Sequence, residues 1–589
     1  MSINLKNLKN KNIHIVGIAG AEGSAVAEFL VANNISSITG HDFSLRKDFK
    51  KAFYNTHLSL KPDEREKALE HLLNLAGIVE MRHCLVSTAT APIKINFKDH
   101  YLEGIEEADI IFVSQVWFKY PQNLPILQNI KNSGVSFKTI TNLYFELAPC
   151  KIISITGTNG KTTTARLINN IFKIWAENYF IIPTRAKRGT SERNGGTSLF
   201  QKNLYCKQSN NTKEKILENE GVKPKIYFAG NDRQNIQVLD KLNEMTKDDV
   251  LILETSSTQL LLNSKISPQI GVITNITPNH LDDHGSFENY IEAKKNLIRY
   301  QKAGDWAVLN YDDKESKKFI KSVKSKVFLF SRRKELGEGC FVKDGNIIIK
   351  TFSLFVIPTE MSEVRTNGVE EFLKCSIKNK LFHRDNKIEE IVLFSTSDIK
   401  IPGKHNLENV LAAVSAAYLY GVEPEIIKKG ILEYTGTKHR LKLLYNINGI
   451  KYYDDTQATT PEATVAGIES FSGDIILLAG GDNKGMNYEK LAEKINKKTK
   501  LLILFPGDAS DKIEKLINKK KINFVKVNDL SEAAEFLKKY YKKISHLVSP
   551  QRGGTIVLIS PAAAHFYSRY VESSGKSLRK WIKLAASIK

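Results

Sequence analysis

Short runs of aliphatic residues recur along this chain. Each ends in a glycine- or hydroxyl-rich turn, and apolar residues at helical spacing follow. Ile13-His14-Ile15-Val16 leads into Gly17-Ile18-Ala19-Gly20-Ala21-Glu22-Gly23, then into a helical pattern through Ala25, Val26, Phe29 and Leu30, with a second strand ending near Asp42. The same order returns at Ile152–Thr156, Gly157–Gly160 and the helical positions Leu167, Ile168, Ile171 and Phe172. Further buried strands are predicted at Ala108–Val113, Lys225–Phe228, Val250–Glu254, Gln269–Asn275, Lys451–Tyr453, Asp474–Leu478, Leu501–Phe505 and Thr555–Ile559. Near-continuous apolar strands alternating with amphipathic helices indicate parallel sheets covered on both faces, an α/β fold.

Length then divides the chain. At 589 residues it exceeds one ordinary core, and three domains are expected: 1–149, 150–435 and 436–589. Within the second, a polar stretch near 178–224 reads as an insertion, and 326–400 reads as a small β subdomain. The net charge of +22 raises the question of nucleic acid, but the lysines are spread along predicted helix faces without an aromatic-studded block. A solvated lysine-rich surface is the expectation, with no nucleic-acid partner. No apolar run approaches the ~18 residues of a membrane span, and Met1–Lys11 lacks the apolar core of a signal peptide. Five scattered cysteines without a C-x-x-C pair argue against zinc and disulfides. A cytoplasmic enzyme is expected.

Candidate chemistry begins at Gly157-Thr158-Asn159-Gly160-Lys161-Thr162-Thr163. Strand, tight turn and helix start together make a phosphate cradle, with backbone N–H groups facing the anion, Lys161 reaching the terminal phosphates and the Thr162 hydroxyl available to Mg²⁺. The motif departs from G-x-x-x-x-G-K-[ST], because Ile155 stands at the first glycine position. Glu254 ends a second strand, where a Mg²⁺ ligand sits in parallel nucleotide-binding sheets; capping a helix is its other reading. His280 lies in a loop after the strand ending at Asn275, and Lys294 lies on a helix four residues beyond Tyr290. Alone, His280 reads equally as a solvated loop histidine and Lys294 as a partner of Glu292 or Glu288. Gly17–Gly23 with Asp42 resembles a nucleotide-binding β-α-β unit, although G-x-x-G-x-x-G is not the dinucleotide fingerprint. A dinucleotide reading also leaves Lys161, Glu254 and His280 without a task.

Taken in order, Gly157–Thr163, Glu254-x-Ser256-Ser257, Asn275-x-Thr277-x-x-His280-Leu281-Asp282, Tyr290-x-x-x-Lys294, His405-Asn406-x-x-Asn409, His439-Arg440, Asp454-Asp455-Thr456-x-Ala458-Thr459, Gly480-Gly481-Asp482-x-Lys484 and Ser560-Pro561 resemble the Mur ligase family. The resemblance covers about residues 13 to 575. It implies an N-terminal Rossmann-like UDP-binding domain, a central P-loop ATPase domain and a C-terminal Rossmann-like domain. It also implies ATP-dependent amide formation through an acyl phosphate, and the pattern is most similar to the branch that adds D-glutamate to UDP-N-acetylmuramoyl-L-alanine in peptidoglycan precursor synthesis.

The resemblance assigns roles residue by residue. Gly157–Thr163 with Lys161 hold the phosphates; Thr162 and Glu254 hold Mg²⁺; His280 and a carbamylated Lys294 hold a second. Asn406 and Asn409 lie beside the adenine, and Arg440 and Asp455 reach the γ-phosphate and the ribose. Gly17, Asp42, Asn231 and Ser256 belong to the UDP substrate, and Thr459, Lys484 and His565 to the incoming amino acid; a monomer is expected. Three departures concern specificity: Gln457 replaces a family lysine, His565 a family serine or threonine, and Ser114-Gln115-Val116-Trp117 a Ser-Pro-Gly turn. They leave the identity and handedness of the amino acid open, L-glutamate included.

Overall fold

The computed structural model describes residues 5–57, 60–81, 84–87, 92–113, 126, 129–130, 134–179, 223–230, 237–262, 265–352, 388–483, 485–518, 520, 522–544, 554–563, 566–572 and 578–586. They fall into two compact units, Met1–Ser395 with Leu411–Lys428, and Thr396–Val410 with Lys429–Lys589.

The first unit carries two large sheets. The strands β1 (Ile13–Val16), β2 (Ile38–His41), β3 (Ile93–Asn96), β4 (Ile110–Val113) and β5 (Ser136–Lys138) form a parallel sheet in the order β3-β2-β1-β4-β5. The helix α1 (Ala21–Ala32) leaves β1 through a turn in which a Cβ on Gly23 would stand 2.3 Å from the Gly17 carbonyl oxygen, so only glycine lets the helix start so close to the strand. Asp42 pins this turn: one carboxylate oxygen accepts from the Ala19 N–H at 3.0 Å, the other from the Ser44 N–H at 2.9 Å. Beneath it, His14 Nδ1 and His41 Nε2 are 2.9 Å apart and buried. The Leu102 N–H donates to His41 Nδ1, so His41 carries its proton on Nε2 and donates it to His14. The connecting helix α2 (Ile140–Leu147) then leads into the second sheet.

That sheet has nine strands: β6 (Lys151–Thr156), β7 (Ile226–Gly230), β8 (Val250–Glu254), β9 (Ile270–Ile273), β10 (Trp306–Asn310), β11 (Lys326–Ser331), β12 (Gly339–Lys343), β13 (Asn346–Phe352) and β14 (Ile388–Ser395), ordered β14-β13-β12-β11-β10-β9-β6-β8-β7. From β7 to β12 every pairing is parallel, and only β12–β13 and β13–β14 are antiparallel. The run 326–400, expected as a β subdomain, lays its described strands onto the edge of this same sheet. β6 lies between β8 and β9, with Ile155 opposite Glu254 and Thr156 opposite Ile273. Loops leaving the carboxyl ends of these three strands therefore meet, as binding loops of parallel sheets do. One apolar core, including Ile15, Phe29, Tyr144, Leu251 and Leu253, runs from the first sheet into the second.

The second unit holds β15 (Lys442–Ile447), β16 (Ile450–Asp454), β17 (Asp474–Gly480), β18 (Thr499–Phe505), β19 (Asn523–Lys526) and β20 (Thr555–Ile559), ordered β15-β16-β20-β17-β18-β19. Alternation along β17 sends Ile475, Leu477 and Ala479 to one core and Ile476 and Leu478 to another, so both faces are covered. Among the described residues no helix is long and apolar enough to cross a membrane.

Candidate active site

The phosphate loop is shaped by its neighbours. Gly157 has φ +153°, and a Cβ there would lie 1.9 Å from Thr274 Oγ1, so the position admits no side chain. Asn275, at the end of the adjacent strand, holds the turn three times: its carbonyl accepts from the Thr158 N–H (2.8 Å), its Oδ1 from the Asn159 N–H (3.0 Å), and its Nδ2 donates to the Asn159 carbonyl (3.1 Å). Thr158 Oγ1 donates to the Thr277 carbonyl and accepts the Thr277 N–H. From Gly160, in the left-handed region at φ +85°, the helix α3 (Lys161–Glu177) begins, and the N–H groups of its first turn lack intrahelical acceptors. That end carries the positive pole of the helix, which favours an anion.

Four charged or hydroxyl side chains converge here. Lys161 Nζ folds onto the loop, donating to the carbonyls of Gly157 (2.9 Å) and Thr158 (3.0 Å). Thr162 Oγ1 donates to Glu254 Oε1 at 3.0 Å, with both residues buried. On the helix α6 (Phe287–Arg299), Lys294 is 1% exposed and donates to the same Gly157 carbonyl at 2.9 Å. Its ammonium stands 4.6 Å from the centre of the Tyr290 ring, and the Tyr290 hydroxyl meets Thr158 Oγ1 at 3.1 Å. Burial, and then repulsion from Lys161, hold the Lys294 ammonium well below the usual lysine range. An amine so placed favours its neutral, nucleophilic form.

These residues fit Mg²⁺ and a polyphosphate. Thr162 and Glu254 are hard oxygen donors, the type Mg²⁺ takes, and among the described residues no three His, Cys, Asp or Glu side chains form a closed metal cage. A site with few protein oxygens leaves room for phosphate oxygens and water, the usual state of Mg²⁺ at a nucleotide.

His280 stands apart from this cluster. It has φ +52° and an exposed side chain whose Nδ1 is 3.1 Å from Asp283 Oδ2, and its ring lies 6.5 Å from that of Tyr290. Four residues on, at the end of the short helix α5 (Leu281–His284), His284 is buried, sets Nε2 2.9 Å from Ser257 Oγ and packs edge-on against Tyr290. Sequence reading overlooked His284, though its place in His280-Leu281-Asp282-Asp283-His284, one helical turn on, was a usable signal. Ser256 caps the short helix α4 (Ser257–Leu261), its Oγ accepting from the Gln259 N–H.

In the second unit, Asn406 and Asn409 are buried in the first turns of the helix α7 (Lys404–Tyr420); Asn409 Nδ2 donates to Asn406 Oδ1 at 3.2 Å. Arg440 is exposed between His439 and Leu441, both at positive φ. Asp455 is buried, and its oxygens accept from the Leu441 N–H (3.1 Å) and the Ser560 hydroxyl (2.7 Å). Burial, only partly offset by these donors, pushes its carboxyl up to about 7. Gln457 and Thr459 are exposed beyond it. Asn231, Lys484, His565 and Ser114–Trp117 lie outside the described residues.

Residues 155–417 match the Mur ligase middle domain and residues 439–562 the Mur ligase glutamate ligase domain. Over 496 residues, 83% of this chain and 86% of the relative, the chain is 31% identical to the UDP-N-acetylmuramoylalanine–D-glutamate ligase of Acetivibrio thermocellus. The chain belongs to the Mur ligase family. It is also 29% identical over 578 residues, 98% of both chains, to the ligase of the same name from Alkaliphilus oremlandii. The solved UDP-N-acetylmuramate–alanine ligase of Thermotoga maritima aligns with 96% of this chain and 99% of its own, at 16% identity and a TM-score of 0.46. The chain is an α/β protein whose described residues form three large sheets, and the matched middle domain contains Lys161, Thr162, Glu254, His280 and Lys294.

Proposed function

We propose that this Mur ligase joins D-glutamate to UDP-N-acetylmuramoyl-L-alanine at the expense of ATP. The observation that carries the reading is the cluster at the phosphate loop: Thr162 3.0 Å from Glu254, beside Lys161 and a buried Lys294 that share the Gly157 carbonyl. A carboxylate resists attack by an amine, because its oxygen is a poor leaving group. Transfer of the ATP γ-phosphoryl group to the substrate's terminal carboxylate gives an acyl phosphate, from which the amine of the amino acid displaces phosphate.

Such a transfer needs position and charge neutralisation more than covalent help. Lys161 leaves the loop carbonyls for the β- and γ-phosphates, and the first-turn amides of α3 hold the rest. Thr162 and Glu254 hold Mg²⁺, which when bound neutralises charge on the phosphates. His280 and Lys294 serve a second Mg²⁺, Lys294 after its neutral amine has added CO₂ and lost a proton to become a carbamate. Gly17 and Asp42 shape the uridine diphosphate turn, with Asn231 and Ser256 nearer the reacting end. Asn406, Asn409, Arg440 and Asp455 serve the nucleotide, and Thr459, Lys484 and His565 the amino acid. The domains run 1–149, 150–435 and 436–589, in a cytoplasmic monomer.

Phosphate release with ATP, Mg²⁺ and UDP-N-acetylmuramoyl-L-alanine against a panel of D- and L-amino acids tests this reading. Release with D-glutamate is expected. Release with none would sink the ligase assignment, and release only with another amino acid would move the specificity. Lys294→Ala should lose activity and regain part of it with short carboxylates.

A further inference from the structure

The turn after Glu254 is tied to the uridine-side turn through a single buried amide, that of Gln259. This side chain is 2% exposed, and both ends of its amide are engaged. Its Oε1 accepts the Ser256 N–H at 2.9 Å, two residues beyond Glu254. Its Nε2 donates to Glu22 Oε1, in the first turn of α1, directly after the Gly17–Gly20 turn. Its backbone carbonyl accepts from Thr139 Oγ1 at 2.9 Å, at the start of α2, which joins the two sheets.

The amide orientation is not arbitrary. Ser256 offers an N–H and Glu22 a carboxylate, so only oxygen toward Ser256 and nitrogen toward Glu22 satisfies both. A carboxylate at position 259 would still accept from Ser256, but would face Glu22 as a like charge in a part-buried setting, where water screens repulsion less than at the surface. Glu22 matters in its own right. A carboxylate in the first turn of a helix meets the N–H groups that would otherwise receive an anion. The bond to Gln259 holds that carboxylate against α4.

We infer that Gln259 is a positioning residue: by holding Glu22 against the Glu254–Gln259 turn, it sets the diphosphate-binding turn of the first sheet relative to the phosphate loop of the second. The inference rests on the assignment of Gly17–Gly23 to the uridine diphosphate end of the substrate. It predicts a charge-swap pattern. Gln259→Glu places two carboxylates together and loosens the Gly17–Gly23 turn. Glu22→Gln combined with Gln259→Glu restores the pairing with donor and acceptor exchanged, since the amide at position 22 can then donate to the carboxylate at position 259.

The test is calorimetric binding of UDP and, separately, of a non-hydrolysable ATP analogue with Mg²⁺, to the wild-type chain, Gln259→Glu, Glu22→Gln and the double variant. UDP affinity should fall at least about tenfold in Gln259→Glu and return to within about threefold of wild type in the double variant, while analogue affinity stays within about twofold throughout. A purely structural role would weaken both ligands together. Equal UDP affinity in all four proteins, or a double variant as weak as Gln259→Glu, would overturn the inference. If Gln259→Glu does not fold, recovery of both folding and UDP binding in the double variant supports the pairing, and its failure to recover them refutes it. UDP binding without amide formation by the wild-type chain would overturn the reaction proposed above and leave this coupling standing.

Discussion

The phosphate loop and the Asp455 turn both bury a titratable side chain beside a nucleotide-type strand end, yet they use it differently. At the loop, Lys294, Lys161 and the helix start converge on one small turn, while the first-turn amides of α3 stay available to a ligand. At the Asp455 turn the carboxylate is consumed internally by the Leu441 N–H and the Ser560 hydroxyl, and the exposed groups are its neighbours Arg440, Gln457 and Thr459. The first has the form of an anion receptor. The second is a fixed frame from which a few side chains reach out. Substitutions at the loop should therefore cost chemistry, those at Asp455 stability as well as nucleotide binding, and those at the exposed Gln457 and Thr459 specificity.

The largest effect belongs to Lys161→Ala. Its side chain is only half-buried, so folding should survive while ATP-dependent phosphate release falls about 10²- to 10³-fold, the usual cost of one preorganised charge-stabilising donor. A loss below tenfold would mean that the loop does not carry the transferring phosphate. Next comes Glu254→Gln, which preserves shape and the bond from Thr162. The Mg²⁺ concentration for half-maximal release should rise roughly 10- to 100-fold; an unchanged Mg²⁺ requirement would remove Glu254 from the metal site. A smaller change is expected of Gln457→Lys. An exposed ion pair is worth about 0.2–1 kcal/mol, so the KM for D-glutamate should drop about 1.4- to fivefold, and no drop would place Gln457 away from the amino acid.

The two units also differ in the sign of their pH response, an effect on stability and not on turnover. Burial holds His14 down at about 4 and His41 at about 3, against an ordinary 6.5. The unfolded chain then binds more protons, so stability of the first unit falls as pH drops from about 6.5 toward 4. Asp455 runs the other way. Raised by burial from 3.8 to about 7, it binds more protons when folded, and its stabilising effect is lost as pH rises through about 7. Each group gives a slope of at most ~1.4 kcal/mol per pH unit. Hydrogen exchange at mildly acidic and mildly alkaline pH, read separately over residues 13–42 and 450–456, should show opposite trends; a common trend would contradict the assignment.

Much of this was legible in the sequence, because motif residues at strand ends announce both the strand and its chemistry. Glu254 ends its strand as its apolar run indicated, and Lys161 and Thr162 open their helix. What escaped was whatever depends on packing between distant segments. Nothing in the spacing of Lys294 reveals that α6 delivers its ammonium to the Gly157 carbonyl, or that His284 braces Ser257. The strands between 326 and 395 alternate short β-rich runs with charges like a small β subdomain, and only their partners show that they extend the central sheet. Sequence records the charge of Asp455 but not the donors that Leu441 and Ser560 bring to it.

Asn275 has one more consequence. Since its backbone and side chain fix Thr158 and Asn159, the nucleotide loop is not an autonomous cassette. Grafting Ile152–Thr164 into another parallel sheet would transfer the letters without the form, unless an asparagine and a hydroxyl residue travelled with it on the adjacent strand. In evolutionary exchange or protein engineering, the heritable unit is the strand pair.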